Sequence, residues 1–298
     1  MYHLATVFPI MKRLRIPVTR DQALLLMLAL NELLLGLETF LAHSTSGTIM
    51  PKEWIPIIFG PSAGILLILA GLLAIRRRPL AALLASLIYL ASIVVGLLGT
   101  YFHILRAILP LAPLGERVSI PLIVWAPPVL GPLTFALVGW MGLSAVWLEQ
   151  PTDSGRLTLP GGKRLSLPFG KTNAFFFMVG LGTLATVISS VLDHARTNFE
   201  NPWLWLPTTI GVFGTVVALV LGAIRIPRRS DLLTFVVAML LLVLVGMTGV
   251  VLHILRNLGL ENAIVLERFI RGAPFLAPML FSDMGALGLV ILLEPSEK

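Results

Sequence analysis

Four histidines carry most of the chemistry that can be read from this 298-residue chain: His43, His103, His194 and His253. His103 closes the frame Gly96-x-x-Gly99-x-x-x-His103-Ile104-Leu105-Arg106, and His253 closes Gly246-x-x-Gly249-x-x-x-His253-Ile254-Leu255-Arg256. The two frames lie 150 residues apart, and His43 and His194 are offset by 151. A neutral imidazole ligates metals and haem iron and shuttles protons near neutral pH. Paired histidines in a repeated frame therefore point to two ligand sites, one in each half of the chain.

The neighbours of each histidine narrow the chemistry. Gly99 and Gly96 precede His103 by four and seven residues, which places all three on one helical face, and Gly249 and Gly246 do the same for His253. A face of bare backbone serves either close helix packing through small residues or a slot for a flat ligand beneath its axial histidine. Arg106 and Arg256 follow by three residues on the same face. Such an arginine either snorkels to lipid phosphate or clamps an anion, for example a haem propionate or a substrate carboxylate. Glu38 and Asp193 are the available third ligands if each histidine pair holds copper or zinc. Glu32, Glu38 and Asp283 fall inside apolar stretches, where carboxylates are costly and usually functional or paired. They are candidates for a proton path. Each also has a plain structural reading as a neutral, hydrogen-bonded acid.

These residues sit on elements of a membrane protein. The chain is 57% hydrophobic and 12% charged, against roughly 25% charged in soluble domains. Eight apolar segments, approximately 22–43, 55–75, 80–105, 119–148, 173–194, 205–224, 231–255 and 272–293, approach or exceed the ~20 residues that span a bilayer as helix. Thr19 with Asp21, and Ser230 with Asp231, supply helix starts for the first and seventh. Counted from helix starts near Arg20, Leu80, Thr172 and Asp231 at about 1.5 Å per residue, all four histidines lie about 33–35 Å along their helices, at one level near the outer interface.

The halves match beyond the histidines. Trp54-x-Pro56-x-x-x-Gly60 repeats as Trp205-x-Pro207-x-x-x-Gly211. Pro128-x-Leu130-Gly131-Pro132-x-x-Phe135-x-x-x-Gly139-x-x-Gly142 repeats as Pro274-x-Leu276-Ala277-Pro278-x-x-Phe281-x-x-x-Gly285-x-x-Gly288. The expected fold is an all-α integral membrane protein, with eight transmembrane helices as two tandem four-helix bundles of the same orientation. Residues 1–20 form a cytoplasmic or interfacial lead-in rather than a signal peptide, 21–150 the first repeat, 151–171 a cytoplasmic linker and 172–298 the second repeat. The matching is uneven at the acids: Glu32 meets Thr183, Glu38 meets Ser189 and Asp283 meets Leu137, so a proton path would not be duplicated.

With the N-terminus inside, 15 of the 22 Lys and Arg residues fall on the cytoplasmic side, which predicts an inner-membrane protein with both termini cytoplasmic. The net charge of +7 therefore reflects topology rather than nucleic-acid binding. The absence of cysteine removes disulfides and thiolate metal sites. No phosphate-binding Gly-rich loop followed by Lys and no His-Glu-x-x-His occurs. The leading expectation is a redox or cofactor-binding subunit, with a haem b or metal site per repeat near the outer face, exchanging electrons with quinol or an external partner. The alternatives are a proton-coupled transporter, a quinone-interacting subunit without haem, or a structural subunit of a larger membrane complex, with Trp54, Trp203 and Trp205 as interfacial anchors.

Overall fold

The computed structural model describes residues 2–13, 17–45, 47–108, 110–124, 130–195, 198–259 and 263–294. Pro128 and Arg196 lie outside them. Helices dominate: α1 (Tyr2–Val7), α2 (Arg20–Ser44), α3 (Trp54–Leu105), α4 (Ile120–Val124), α5 (Leu130–Val146), α6 (Lys171–Ala195), α7 (Trp205–Ala223), α8 (Arg229–Leu258), α9 (Leu266–Arg271) and α10 (Met279–Ile291). Among the described residues, five helical stretches are long and apolar enough to cross a membrane. Their outward leucines, such as Leu66, Leu69, Leu87 and Leu244, are exposed, as a lipid-facing surface requires.

The helices begin and break for local reasons. Thr19 caps α2 through a capping box: its hydroxyl accepts from the Gln22 amide at 3.4 Å, and the Gln22 side chain accepts from the Thr19 amide at 3.0 Å. At the start of α8, Asp231 accepts from the Arg228 amide at 2.8 Å, so Arg228 stands at the cap where Ser230 was expected. The segments expected at 55–75 and 80–105 form the two limbs of α3, separate helices joined by a kink at Arg77, whose backbone leaves the helical region (φ −138°, ψ 65°) just ahead of Pro79.

The segment expected at 272–293 is helical only from Met279, and α10 has 13 residues, about 20 Å of helix against a ~30 Å hydrocarbon core. The segment expected at 119–148 is seen as α4 and α5, and residues 125–129 between them lie outside the described residues. Prolines account for the late start of α10. Pro274 and Pro278 precede α10, and Pro278 sits at its cap, where a missing amide is harmless but a continuous helix through it is not.

Packing separates into two groups joined by a seam. α2, α3 and α5 pack on one another, as do α6, α7, α8 and α10, while α2 meets α10 and α5 meets α6. Phe175, Phe176, Phe235 and Met239 are fully buried in the second group, with the Phe176 and Phe235 rings edge-to-face at 5.0 Å. The N-terminal segment is docked: the Leu4 amide donates to the Leu292 carbonyl at 3.0 Å, the Arg229 guanidinium donates to the Val7 carbonyl at 3.2 Å, and Val7 is buried.

The region expected to be a plain linker holds a small antiparallel sheet, β1 (Leu148–Glu149), β2 (Arg156–Thr158) and β3 (Arg164–Ser166), in the order β1-β2-β3. Gly155 turns the chain into β2 with φ +72°, and a Cβ there would lie 2.5 Å from the Leu167 carbonyl oxygen. The sheet carries Glu149 inward. Its carboxylate accepts from the amides of Asp153 (3.0 Å), Gly155 (2.8 Å) and Lys171 (2.9 Å). Lys171, at the start of α6, bonds Asp21 at 2.7 Å and the Trp147 carbonyl at 2.8 Å. Arg20 bonds Asp21 at 3.0 Å and Thr172 at 2.6 Å, and Thr172 donates to Asp153 at 2.6 Å. Arg20, Asp21, Glu149, Lys171 and Thr172 are all buried. The starts of α2 and α6, matched positions in the two halves, are thus tied together by one charge network.

Candidate functional site

The histidines expected to meet do so in the first half. His43 on α2 and His103 on α3 stand edge-on with ring centroids 6.1 Å apart. His43 Nδ1 lies 2.8 Å from the Thr39 carbonyl and must donate to it, since a carbonyl only accepts. Its Nε2 lies 4.0 Å from a Glu53 carboxylate oxygen. His253 is held alike, with Nδ1 donating to the Pro274 carbonyl at 3.0 Å. His194 lies within its electrostatic reach, with Nδ1 3.3 Å from the Ser190 hydroxyl.

The glycine faces are filled. A Cβ on Gly96 would lie 2.6 Å from the Ala136 amide nitrogen and one on Gly99 2.8 Å from Pro132 Cβ, both on α5. On Gly246 it would strike Ser282 Oγ, and on Gly249 it would lie 2.7 Å from Pro278 Cβ. These four glycines let α3 approach α5, and α8 approach α10, as small residues do in membranes. A macrocycle lying on either face has no room, so the residues present do not fit the expected haem slot.

The third ligands are not in place either. Among the described residues, no group of three or more His, Asp or Glu side chains converges as a metal site requires. Glu38 faces a cavity between helices, and Asp193 is exposed, within electrostatic reach of both Glu38 and His253. Arg106 turns back to donate to the Leu122 carbonyl at 3.0 Å, so it braces the chain after α3. Arg256 lines an open groove with Arg268, Arg271 and Glu267.

No family model, curated protein or solved structure matches this chain. The site has to be judged by its own geometry.

That geometry centres on the seam. A cavity of about 230 Å³ lies between α2, α5 and α10. Its walls are apolar, among them Leu34, Leu137, Met141 and Leu280, and its polar groups include Asn31, Glu38 and Asp283. Asn31 donates to Asp283 at 2.8 Å across the seam. At the matched contact of the other half, Gly182 meets Leu137 at 2.8 Å from its would-be Cβ and Met284 fills the remaining space. One seam contact is therefore polar and opens on a cavity, while its counterpart is apolar and closed.

On the opposite side of α2, Glu32 is fully buried in the first helix group. The Ser92 hydroxyl lies 2.5 Å from Glu32 Oε1 and 2.8 Å from the Phe135 carbonyl oxygen. Tyr89, also fully buried, is within electrostatic reach of Glu32, and a Cβ on Gly142 would run into its ring. Sequence reasoning found Glu32, Glu38 and Asp283 because carboxylates stand out in apolar runs. It passed over Asn31, Tyr89 and Ser92, whose signal was only a polar side chain within a span. Arg20 and Lys171 stand in the sequence as basic residues flanking apolar runs, and nothing local to either reveals a partner some 150 positions away.

Proposed function

We propose that this chain is a proton-coupled carrier with eight membrane spans in two like-oriented four-helix units, both termini cytoplasmic in the inner membrane, and with its substrate site at the seam between the units. The observation that carries this reading is the apolar cavity with Asn31, Asp283 and Glu38 in its wall. Repeat-built carriers hold substrate and coupling ion where their repeats meet, and an ionisable residue inside the membrane marks such a path. A cavity of about 230 Å³ is smaller than the ~300–1,000 Å³ of drug-sized pockets, so the substrate is small. Its walls select an apolar body, and two carboxyl groups with one amide select a basic or hydrogen-bond-donating head. A small lipophilic amine has that chemistry.

The test is proton movement in proteoliposomes carrying a trapped pH-sensitive dye, with benzylamine as the first probe and other small amines after it. Wild-type protein should couple amine uptake to proton release. Asp283→Asn and Glu38→Gln should each lower that flux at least tenfold while leaving the detergent-solubilised protein folded. Wild-type flux in both variants, or no amine-dependent flux in the wild type, sinks the carrier.

The histidine pair supports a second reading, a metal-dependent redox subunit facing quinol or an external partner. His43 and His253 each have Nδ1 tied to a carbonyl, the arrangement that fixes the tautomer of a metal-ligating histidine. Copper or zinc found by elemental analysis, or a visible absorption band, that is lost in His103→Ala and His253→Ala would favour it over the carrier.

A further inference from the structure

We propose that Glu32 forms a buried site for one small cation, a proton or a sodium ion, held with Ser92, the Phe135 carbonyl and Tyr89 inside the first helix group and separate from the seam cavity. Two observations carry it. Ser92 has one hydroxyl proton and lies within hydrogen-bonding distance of two oxygens, Glu32 Oε1 and the Phe135 carbonyl. If that proton goes to the carbonyl, the short contact to Glu32 needs a positive charge of its own, either a proton on the carboxyl donating to Ser92 or a metal cation between the oxygens. In addition, Glu32 Oε2 and Tyr89 Oη are both buried, and neither has a hydrogen-bond partner among the described residues. Buried polar atoms left this way mark an occupant that the protein side chains do not themselves supply.

No countercharge stands nearby to do the same work. Glu32 makes no ion pair among the described residues. α5 carries no charged side chain, and neither does the limb of α3 from Trp54 to Ile75, which packs Gly60 against the Glu32 backbone. From the other limb of α3, Tyr89 is the titratable group within electrostatic reach of it. Asp283 lies across α2, on the seam side, bonded to Asn31. An isolated carboxylate costs several kcal/mol in such surroundings, so one bound cation is the natural partner. All the donors are oxygens, which suits a hard cation.

The second half shows the place without the site. The positions matched to Glu32, Tyr89 and Ser92 are Thr183, Met239 and Leu242. Thr183 bonds its own helix at the Val179 carbonyl, 2.8 Å away, and Met239 and Leu242 are fully buried apolar side chains. The same fold therefore closes without a carboxyl here, and three matched positions differ together in the direction a cation site requires.

Infrared spectroscopy of the reconstituted protein tests this without substrate. A carbonyl band of a protonated carboxyl should be present at neutral pH and lost in Glu32→Gln, and it should persist in Glu38→Gln and Asp283→Asn. A band indifferent to sodium chloride assigns the cation as a proton. A band that appears only when sodium is replaced by choline assigns it as sodium. No Glu32→Gln-sensitive band under either condition overturns the proposal. Tyr89→Phe, which keeps the ring on Gly142, should shift the band. An unshifted band removes Tyr89 from the site, and a shifted one upholds it even if Glu32→Gln does not fold. Because the readout needs neither amine nor transport, the carrier reading can fail while this one stands.

Discussion

Individual residues differ in how far their surroundings were written beside them. His3 is an instance that only the fold reveals. Its ring lies 6.4 Å from Phe176, and burial, then the neighbouring Arg20 charge, lower its pKa from 6.5 to about 4. The released N-terminal segment therefore binds protons more readily than the docked one. Docking is at full strength above about pH 6.5, weakens as pH falls from there toward 4, and changes no further below. Protection factors at residues 3–7, exchange rates corrected for their intrinsic pH dependence, should fall over that window, and His3→Gln should flatten the profile. The glycines give a second prediction. Gly96→Ala and Gly246→Ala push a Cβ against backbone atoms of the facing helix segment and should each cost about 1–3 kcal/mol. Gly71, whose Cβ would meet nothing within 4 Å, should accept Ala with no loss or a gain of up to about 1 kcal/mol. Thermal melting in detergent separates the two outcomes. The spacing Gly96, Gly99, His103 correctly marked one face. It could not distinguish a slot from a packing surface, because that depends on Pro132 and Ala136, some thirty to forty residues away.

At the level of elements, hydrophobic length was the reliable signal. It located α2, α6, α7 and α8 closely, because each lies near the ~20 residues a bilayer demands and ends at a charge or cap. The break between segments 55–75 and 80–105 also stands: the backbone leaves the helical region at Arg77, and both limbs of α3 come back to Glu32. Length failed where it parts company with continuity. The apolar run before α10 looked helical, yet Pro274 and Pro278 stop it. The sheet of β1 to β3 was invisible because its strands are two or three residues long and owe their place to Glu149. The network that Glu149 joins makes a definite prediction. Lys171→Met removes one of two cations that hold Asp21, and breaking a buried pair typically costs about 3–5 kcal/mol. The double variant Lys171→Met/Asp21→Asn leaves less unpaired charge and should melt at a higher temperature than Lys171→Met alone. The reverse order would show that the network does not hold α2 to α6.

For the molecule as a whole, sidedness is the property most open to measurement. The chain contains no cysteine, so single substitutions report without background. Lys163→Cys, in the turn between β2 and β3, should react with an impermeant maleimide only from the cytoplasmic side. Glu200→Cys, in the connection between α6 and α7, should react only from the outside. Labelling of both from one side would show that α6 does not span, and exchanged sides would overturn the like-oriented arrangement, which the repeat and the distribution of Lys and Arg predict and which helix packing alone does not address. The matched halves were legible because whole motifs recur. Their division of labour was not, because it resides in the few positions where they disagree. At the start of α2 stand Arg20 and Asp21, and at the matched start of α6 stand Lys171 and Thr172, each set completing the other. Two copies of the second half would set Lys171 against Lys171 with no carboxylate from position 21 between them. Two copies of the first would duplicate Asp21 and lose the hydroxyl that receives Arg20. The halves meet here as lock and key rather than as twins, so a symmetric pair of either half would leave this junction with mismatched charge.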